Sequence, residues 1–194
     1  MKHIISGTNR PGSRTKQISL IIQSIYQSLG EKVEMIDLAE MPLHHMTGKE
    51  YANSLHQDLN QFVQQVNNSE GLIVVVPEYN GSMPGVLKYF IDHWKYPDTF
   101  EGRPICLVGL GGMFGGLRPV EHLQQIFGYR NSYIFPQRVF IANIWQQLKE
   151  GRIVDPVIND LLKKQAIDFT KFVKALESQK LDANAILAAR PGPI

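Results

Sequence analysis

The chain has 194 residues, the size of one compact domain, since single hydrophobic cores stop growing only beyond about 250–300 residues. With 43% hydrophobic and 20% charged residues it has the composition of a packed globular protein, not of a disordered or fibrous one. A net charge of +2 is too small for a nucleic-acid binder, and a single cysteine excludes an intramolecular disulfide and a cysteine-rich metal centre.

From the N-terminus, short β-rich runs alternate with longer amphipathic stretches, the pattern of a parallel sheet covered by helices on both faces. Strands are expected at 2–6, 32–37, 71–76, 104–110 and 138–142, and helices at 15–29, 54–68, 84–94, 118–128 and 156–177. The run Leu72-Ile73-Val74-Val75-Val76 is apolar without alternation, as a central strand buried on both faces requires. Cys106, inside Ile105-Cys106-Leu107-Val108, is expected to be a buried strand residue. Gly30 fits a helix stop and Pro84 the first turn of a helix. One domain over residues 1–180 is followed by a tail, 181–194, that turns Ala-rich and then reads Arg190-Pro191-Gly192-Pro193. That tail is either flexible or an arm that grips a second subunit. No apolar stretch approaches the roughly 20 residues of a membrane span, and the chain opens on strand-like His3-Ile4-Ile5 instead of a signal peptide, so a cytoplasmic, membrane-free protein is expected.

In a doubly wound sheet, ligands bind outside the carboxyl ends of the strands. After the first strand comes Ser6-Gly7-Thr8-Asn9-Arg10-Pro11-Gly12-Ser13-Arg14-Thr15-Lys16-Gln17, leading into a helix. A phosphate needs backbone N–H donors, close approach and positive potential; a helix start supplies the first and last, and glycine permits the second. Thr8, Ser13 and Thr15 add hydroxyls, and Arg10 adds a planar fork, with Arg14 and Lys16 placed toward solvent. Gly7 and Gly12 have Walker A spacing, but Ser13-Arg14 stands where Lys and a hydroxyl residue belong, and no GxGxxG fingerprint is present. A mononucleotide is therefore the better ligand.

The third strand is followed by Pro77-Glu78-Tyr79-Asn80-Gly81-Ser82-Met83-Pro84-Gly85, whose exposed amides suit a flat heterocycle with Tyr79 beside it. The fourth is followed by Gly109-Leu110-Gly111-Gly112-Met113-Phe114-Gly115-Gly116, where five glycines in eight residues let backbone approach a ligand closely. Gly109, Gly111 and Gly115 make a loose GxGxxxG, a weak dinucleotide signal in this position. The six histidines contain no HExxH, and adjacent His44-His45 cannot copy its one-face geometry, so they are read as loop residues and no metal site is expected. A GxSxG elbow is also missing, which removes a serine hydrolase.

These three loops, above all the segment from Pro77 through Gly85 to Val86-Leu87-Lys88, resemble the NADPH-dependent FMN reductases of the flavodoxin superfamily over residues 1 to about 177. The resemblance implies a flavodoxin-like, doubly wound α/β domain with a five-stranded parallel sheet in the order 2-1-3-4-5, assembled as a homodimer or homotetramer. It implies that Thr8, Arg10, Ser13, Thr15, Lys16 and Gln17 hold the FMN phosphate; relatives often carry Asn where Thr15 stands, so a hydroxyl replaces a longer amide. Pro77, Glu78, Tyr79, Asn80 and Gly81 would line the isoalloxazine, with Gly111, Gly112 and Gly115 covering its other side. The implied function is hydride transfer from NAD(P)H through bound FMN to a small-molecule acceptor such as a quinone, azo compound, metal oxyanion or free flavin, with both substrates stacking in turn on one ring face. Backbone N–H groups from Glu78 to Gly81 are expected to stabilise the reduced ring, and no catalytic side chain is named. The rival is an FMN-binding electron carrier or sensor without NAD(P)H turnover; low-potential carriers of this fold are strongly acidic, whereas this chain is slightly basic. Tyr89, Phe90, Trp94, Tyr96 and Phe100 are candidates for a subunit interface.

Overall fold

The computed structural model describes residues 1–51 and 54–190. Strands β1 (Lys2–Ser6), β3 (Leu72–Pro77) and β4 (Pro104–Leu110) are buried along their whole length, because helices cover both faces of the sheet. β1 pairs in parallel with β2 (Val33–Asp37) on one side and β3 on the other, and β3 pairs with β4. Alternate residues then serve opposite layers. Ile4, Ile73, Val75 and Val108 pack toward α1 (Arg14–Ser28) and α6 (Pro156–Ser178). Ile5, Val74, Val76 and Leu107 pack toward α2 (Gln57–Asn67), α3 (Gly85–Asp92) and α4 (Leu117–Tyr129). Cys106 is fully buried, and its surroundings raise the thiol above its ordinary range.

The sheet order is β2-β1-β3-β4-β5, as expected, but the last strand is split. Both β5 (Tyr133–Ile134) and β6 (Val139–Ile141) pair with β4, whereas one strand over 138–142 was predicted. Pro136 lies in the break and has no N–H to give the ladder. Buried Gln165 of α6 spans the gap, its side-chain amide donating to the carbonyls of Leu107 (3.1 Å) and Gln137 (2.8 Å).

Among the described residues, four further α-helices and β-strands stand outside those expected from the sequence. After β6 a single helical turn, α5 (Ile144–Gln147), leads into a hairpin of β7 (Leu148–Lys149) and β8 (Arg152–Ile153). Glu150 and Gly151 both have positive φ, +47° and +73°, the backbone of a tight two-residue hairpin turn. At the end of the described chain, α7 (Ala183–Ala188) is capped by Asp182 and lies on the turn before β4. There Gly102, at φ +69°, takes the left-handed backbone that favours glycine, and a Cβ would also lie 3.1 Å from the Leu181 carbonyl oxygen. Arg190 pairs with Asp98 and Glu101, so residues 181–190 pack on the body; the rest of the predicted tail, 191–194, lies outside the described residues. Among the described residues no helix is long and apolar enough to cross a membrane.

Candidate functional site

The carboxyl ends of β1, β3 and β4 open onto one cavity of about 540 Å³, within the range of small-molecule sites. Its first wall is the loop between β1 and α1. The Gly7 N–H donates to Val75 O (2.9 Å), and a Cβ on Gly7 would sit 2.8 Å from that oxygen, so only glycine lets the chain leave β1 this close to β3. Gly12, at φ +62°, turns the loop into Ser13, which caps α1 by accepting from the Lys16 N–H (3.1 Å). Arg10, Ser13, Thr15 and Gln17 all line the cavity, together with Pro11, Gly12 and Arg14. The helix start and two guanidinium groups thus give this end positive potential.

Two predicted members of that loop stand elsewhere. Thr8 is wholly buried behind the wall, where its Oγ1 accepts from the Arg10 N–H (3.3 Å) and shares a hydrogen bond with the Tyr79 hydroxyl (2.9 Å). It therefore ties the first loop to the second. Lys16 is not on the cavity; its ammonium pairs with Asp37 at the end of β2 (2.7 Å) and with Glu40 (3.6 Å). The hydrogen bond to Asp37, followed by its charge, raises the Lys16 pKa above the usual lysine value.

The second wall is Pro77, Glu78 and Tyr79. Glu78 donates its N–H to Leu110 O (3.0 Å), and Tyr79 and Ser82 exchange backbone hydrogen bonds of 2.8 and 3.0 Å. Between them Asn80 and Gly81 have φ of +51° and +77°, so Asn-Gly forms a tight turn whose tip does not line the cavity. The N–H groups of Glu78 and Tyr79 are consequently spent within the fold, so of the backbone donors expected from Glu78 to Gly81 these two are already engaged. The turn is anchored to α4 twice: Ser82 Oγ meets His122 Nδ1 (2.9 Å), and Glu78 accepts from Arg118 (3.4 Å).

The glycine segment divides its work. Gly111 and Gly112 line the cavity, whereas Gly115, at φ +58°, packs against the end of β6, where a Cβ would lie 2.9 Å from the Ala142 nitrogen. A Cβ on Gly109 would meet the carbonyl oxygens of Gly115 and Gly116 at 2.8 Å. The loose GxGxxxG pattern thus lets the loop fold back on its own strand.

A third wall was not foreseen: Ile144, Trp145 and Leu148, from the segment after β6. Trp145 is half exposed and reaches Gly112, where its ring would be 3.2 Å from an added Cβ. The rule that placed sites at strand ends applies equally to the last strand, and an exposed tryptophan just beyond it was the available signal. Met113 and Phe114 also stand out into solvent, with the Arg118 guanidinium 5.4 Å from the Phe114 ring centre. The site therefore has a cationic, helix-start end and a flat end walled by backbone and aromatic carbon.

Residues 3–147 match the family model of the NADPH-dependent FMN reductases. The chain is 28% identical over 156 residues to an NADPH:quinone oxidoreductase of Arabidopsis thaliana, covering 77% of this chain and 79% of the plant protein. It is 29% identical over 174 residues to an FMN-dependent NADPH-azoreductase of Staphylococcus saprophyticus, covering 80% and 92%. Among solved structures, FerB, a flavoenzyme NAD(P)H:(acceptor) oxidoreductase from Paracoccus denitrificans, matches with a TM-score of 0.73 at 16% identity, over 90% of this chain and 97% of that one. At that identity the likeness is one of fold.

Proposed function

This chain belongs to the NADPH-dependent FMN reductase family, and from that membership we propose that FMN lies in the cavity with its phosphate at the start of α1. The protein is an NAD(P)H-dependent oxidoreductase that uses FMN. The carrying observation is the two-ended cavity: cations and first-turn amides at one end, backbone and aromatic carbon at the other. In the first turn the Lys16 and Gln17 N–H groups are met by Ser13, so an anion there would be held by the N–H groups of Arg14 and Thr15.

In this reading Arg10, Ser13, Thr15 and Gln17 hold the phosphate, and Pro77, Glu78, Tyr79, Gly111 and Gly112 border the ring. Thr8 positions the loop through Tyr79, Lys16 fixes the start of α1 against β2, and Asn80, Gly81 and Gly115 shape the walls. Bound FMN supplies two-electron chemistry, accepting hydride from a nicotinamide and returning electrons to a second substrate. The chain's own task is placement: the short loops fix the ring edge, and the rim of Met113, Phe114 and Trp145 offers apolar surface on which a planar substrate can stack. Quinones and azo compounds are planar and apolar, and proteins named for reducing each are among the relatives. A cytoplasmic location fits the supply of NAD(P)H.

We further propose that the chain works as a dimer or a pair of dimers through the face of α3 and α4. Of the five candidates, Phe90, Trp94 and Phe100 are core residues and Tyr89 gives its hydroxyl to Glu50, which leaves Tyr96 (50% exposed); Tyr129 (79% exposed), not among the candidates, joins it against Arg130 to make the aromatic patch. Light scattering should give a multiple of the 22.0 kDa chain mass; a monomer contradicts this.

The functional test is steady-state NADPH oxidation by FMN-loaded protein with a soluble benzoquinone. Quinone-dependent consumption of NADPH is expected. Consumption indistinguishable from that of free FMN at the same concentration would overturn the reading.

A further inference from the structure

Between β2 and α2 the chain makes an excursion that the flavin site does not use. It includes a 3₁₀ turn at Leu43–His45 and ends where His56 caps α2. Three histidine rings gather there although they are split in sequence: His44 lies 4.0 Å from His45 between ring centres, and His45 stacks on His56 at 3.5 Å with the planes 17° apart. Asp58, in the first turn of α2, turns its carboxylate to the edge of that stack. Its Oδ2 is 3.8 Å from His45 Nε2 and 3.5 Å from His56 Nδ1, and one ligand atom from each of His45, His56 and Asp58 falls within 4.8 Å of the others.

We propose that His45, His56 and Asp58 form a binding site for one divalent transition-metal ion, zinc first among them, outside the flavin cavity. Tetrahedral zinc with bonds of about 2.0–2.1 Å holds its ligand atoms roughly 3.3 Å apart. The two carboxylate distances already lie close to that spacing. Closure needs the stacked rings to splay so that their lone pairs converge, and His56 and Asp58 are exposed enough to turn. Two imidazoles and one carboxylate suit zinc, copper or nickel, whereas calcium and magnesium prefer oxygen ligands. Three protein ligands leave a fourth position for water.

Ordinary capping accounts for part of the arrangement, since His56 Nδ1 accepts from the Asp58 N–H at 3.3 Å and a carboxylate favours a helix start. It does not account for His45, which comes from the separate 3₁₀ turn to stack on the cap. A bound ion would join that turn to α2. The excursion is held at a second point by buried Glu50, which accepts from His93 Nε2 and the Tyr89 hydroxyl of the α3 segment, both at 3.1 Å. Metal at the first point would therefore fix the excursion at two points, and this inference is independent of the flavin reading.

The test is calorimetric titration of the full chain with zinc chloride near neutral pH, beside His56→Gln and Asp58→Asn, with far-ultraviolet circular dichroism as the check that each variant is folded. One zinc per chain is expected, weakened more than about tenfold in either variant, since even outer-shell partners of a metal cost 10–100-fold. Cobalt should give ligand-field bands at wavelengths beyond the flavin absorption in the unaltered chain and not in the variants. Absence of saturable zinc binding, or binding equally tight in the folded variants, would overturn the assignment.

Discussion

The hydrogen bond between Thr8 and Tyr79 offers a sharp test of how the cavity is held together, because it is the side-chain link between the phosphate-side loop and the ring-side loop. Tyr79→Phe removes one hydroxyl but leaves Thr8 Oγ1 with the Arg10 N–H, so the loss should be about 1 kcal/mol, the net worth of an ordinary hydrogen bond. Thr8→Val keeps the shape of a fully buried side chain yet removes the partner of both the Tyr79 hydroxyl and the Arg10 N–H, for about 2 kcal/mol, roughly 1 for each hydrogen bond lost. In the double variant the second change removes only the bond from the Arg10 N–H, so its total should fall about 1 kcal/mol short of the sum of the singles. Urea unfolding of the FMN-free chain measures all four corners of that cycle. FMN titration should show about fivefold weaker binding for Tyr79→Phe, if the loops need this link to hold the cavity's shape. Additivity within about 0.3 kcal/mol would refute the link.

Two other outcomes follow from the same geometry. Arg10 is exposed at the cavity wall, so Arg10→Ala should leave unfolding within about 0.5 kcal/mol of the parent while weakening FMN about 10–100-fold, the range of a charged hydrogen bond to phosphate; unchanged affinity removes it from the phosphate set. Burial alone would raise the Glu50 carboxyl, but the backbone N–H groups of Glu50 and Thr47, the His93 ring and the Tyr89 hydroxyl outweigh it and bring its pKa down to about 2. Because that lies below the unfolded value of about 4.3, the carboxylate stabilises the fold above roughly pH 4 and loses that contribution as the pH falls toward 2. Unfolding midpoints should drop across this window and drop less in Glu50→Gln; identical pH profiles would show that Glu50 carries no linkage.

Much of this architecture was legible in the residues. The uninterrupted apolar runs of β3 and β4 revealed a sheet covered on both faces, and the loops after β1, β3 and β4 marked the ligand edge. The split between β5 and β6 was hidden because it depends on Gln165, a residue of α6 that fills the gap left by Pro136. The hairpin of β7 and β8 was hidden by its length, since two-residue strands have no periodicity to detect. Lys16 and Gly115 show a different limit: a residue type suited to a ligand can be taken by a neighbour, here Asp37 and the end of β6. Asn80-Gly81 carried a turn signal in plain view, and its geometry explains why the amides beside it are used internally. The histidine cluster was out of reach, because His45 and His56 meet only through the path of the excursion.

The proposed chemistry requires FMN to be held in the cavity and reduced there. The direct measurement is the visible spectrum of purified FMN-loaded chain, without oxygen, before and after adding NADPH. Flavin is expected to stay with the protein through gel filtration, and its absorption to bleach rapidly on addition of the nicotinamide. Flavin lost on the column would contradict the cavity assignment, and bound flavin left oxidised by both NADPH and NADH would contradict the reductase chemistry.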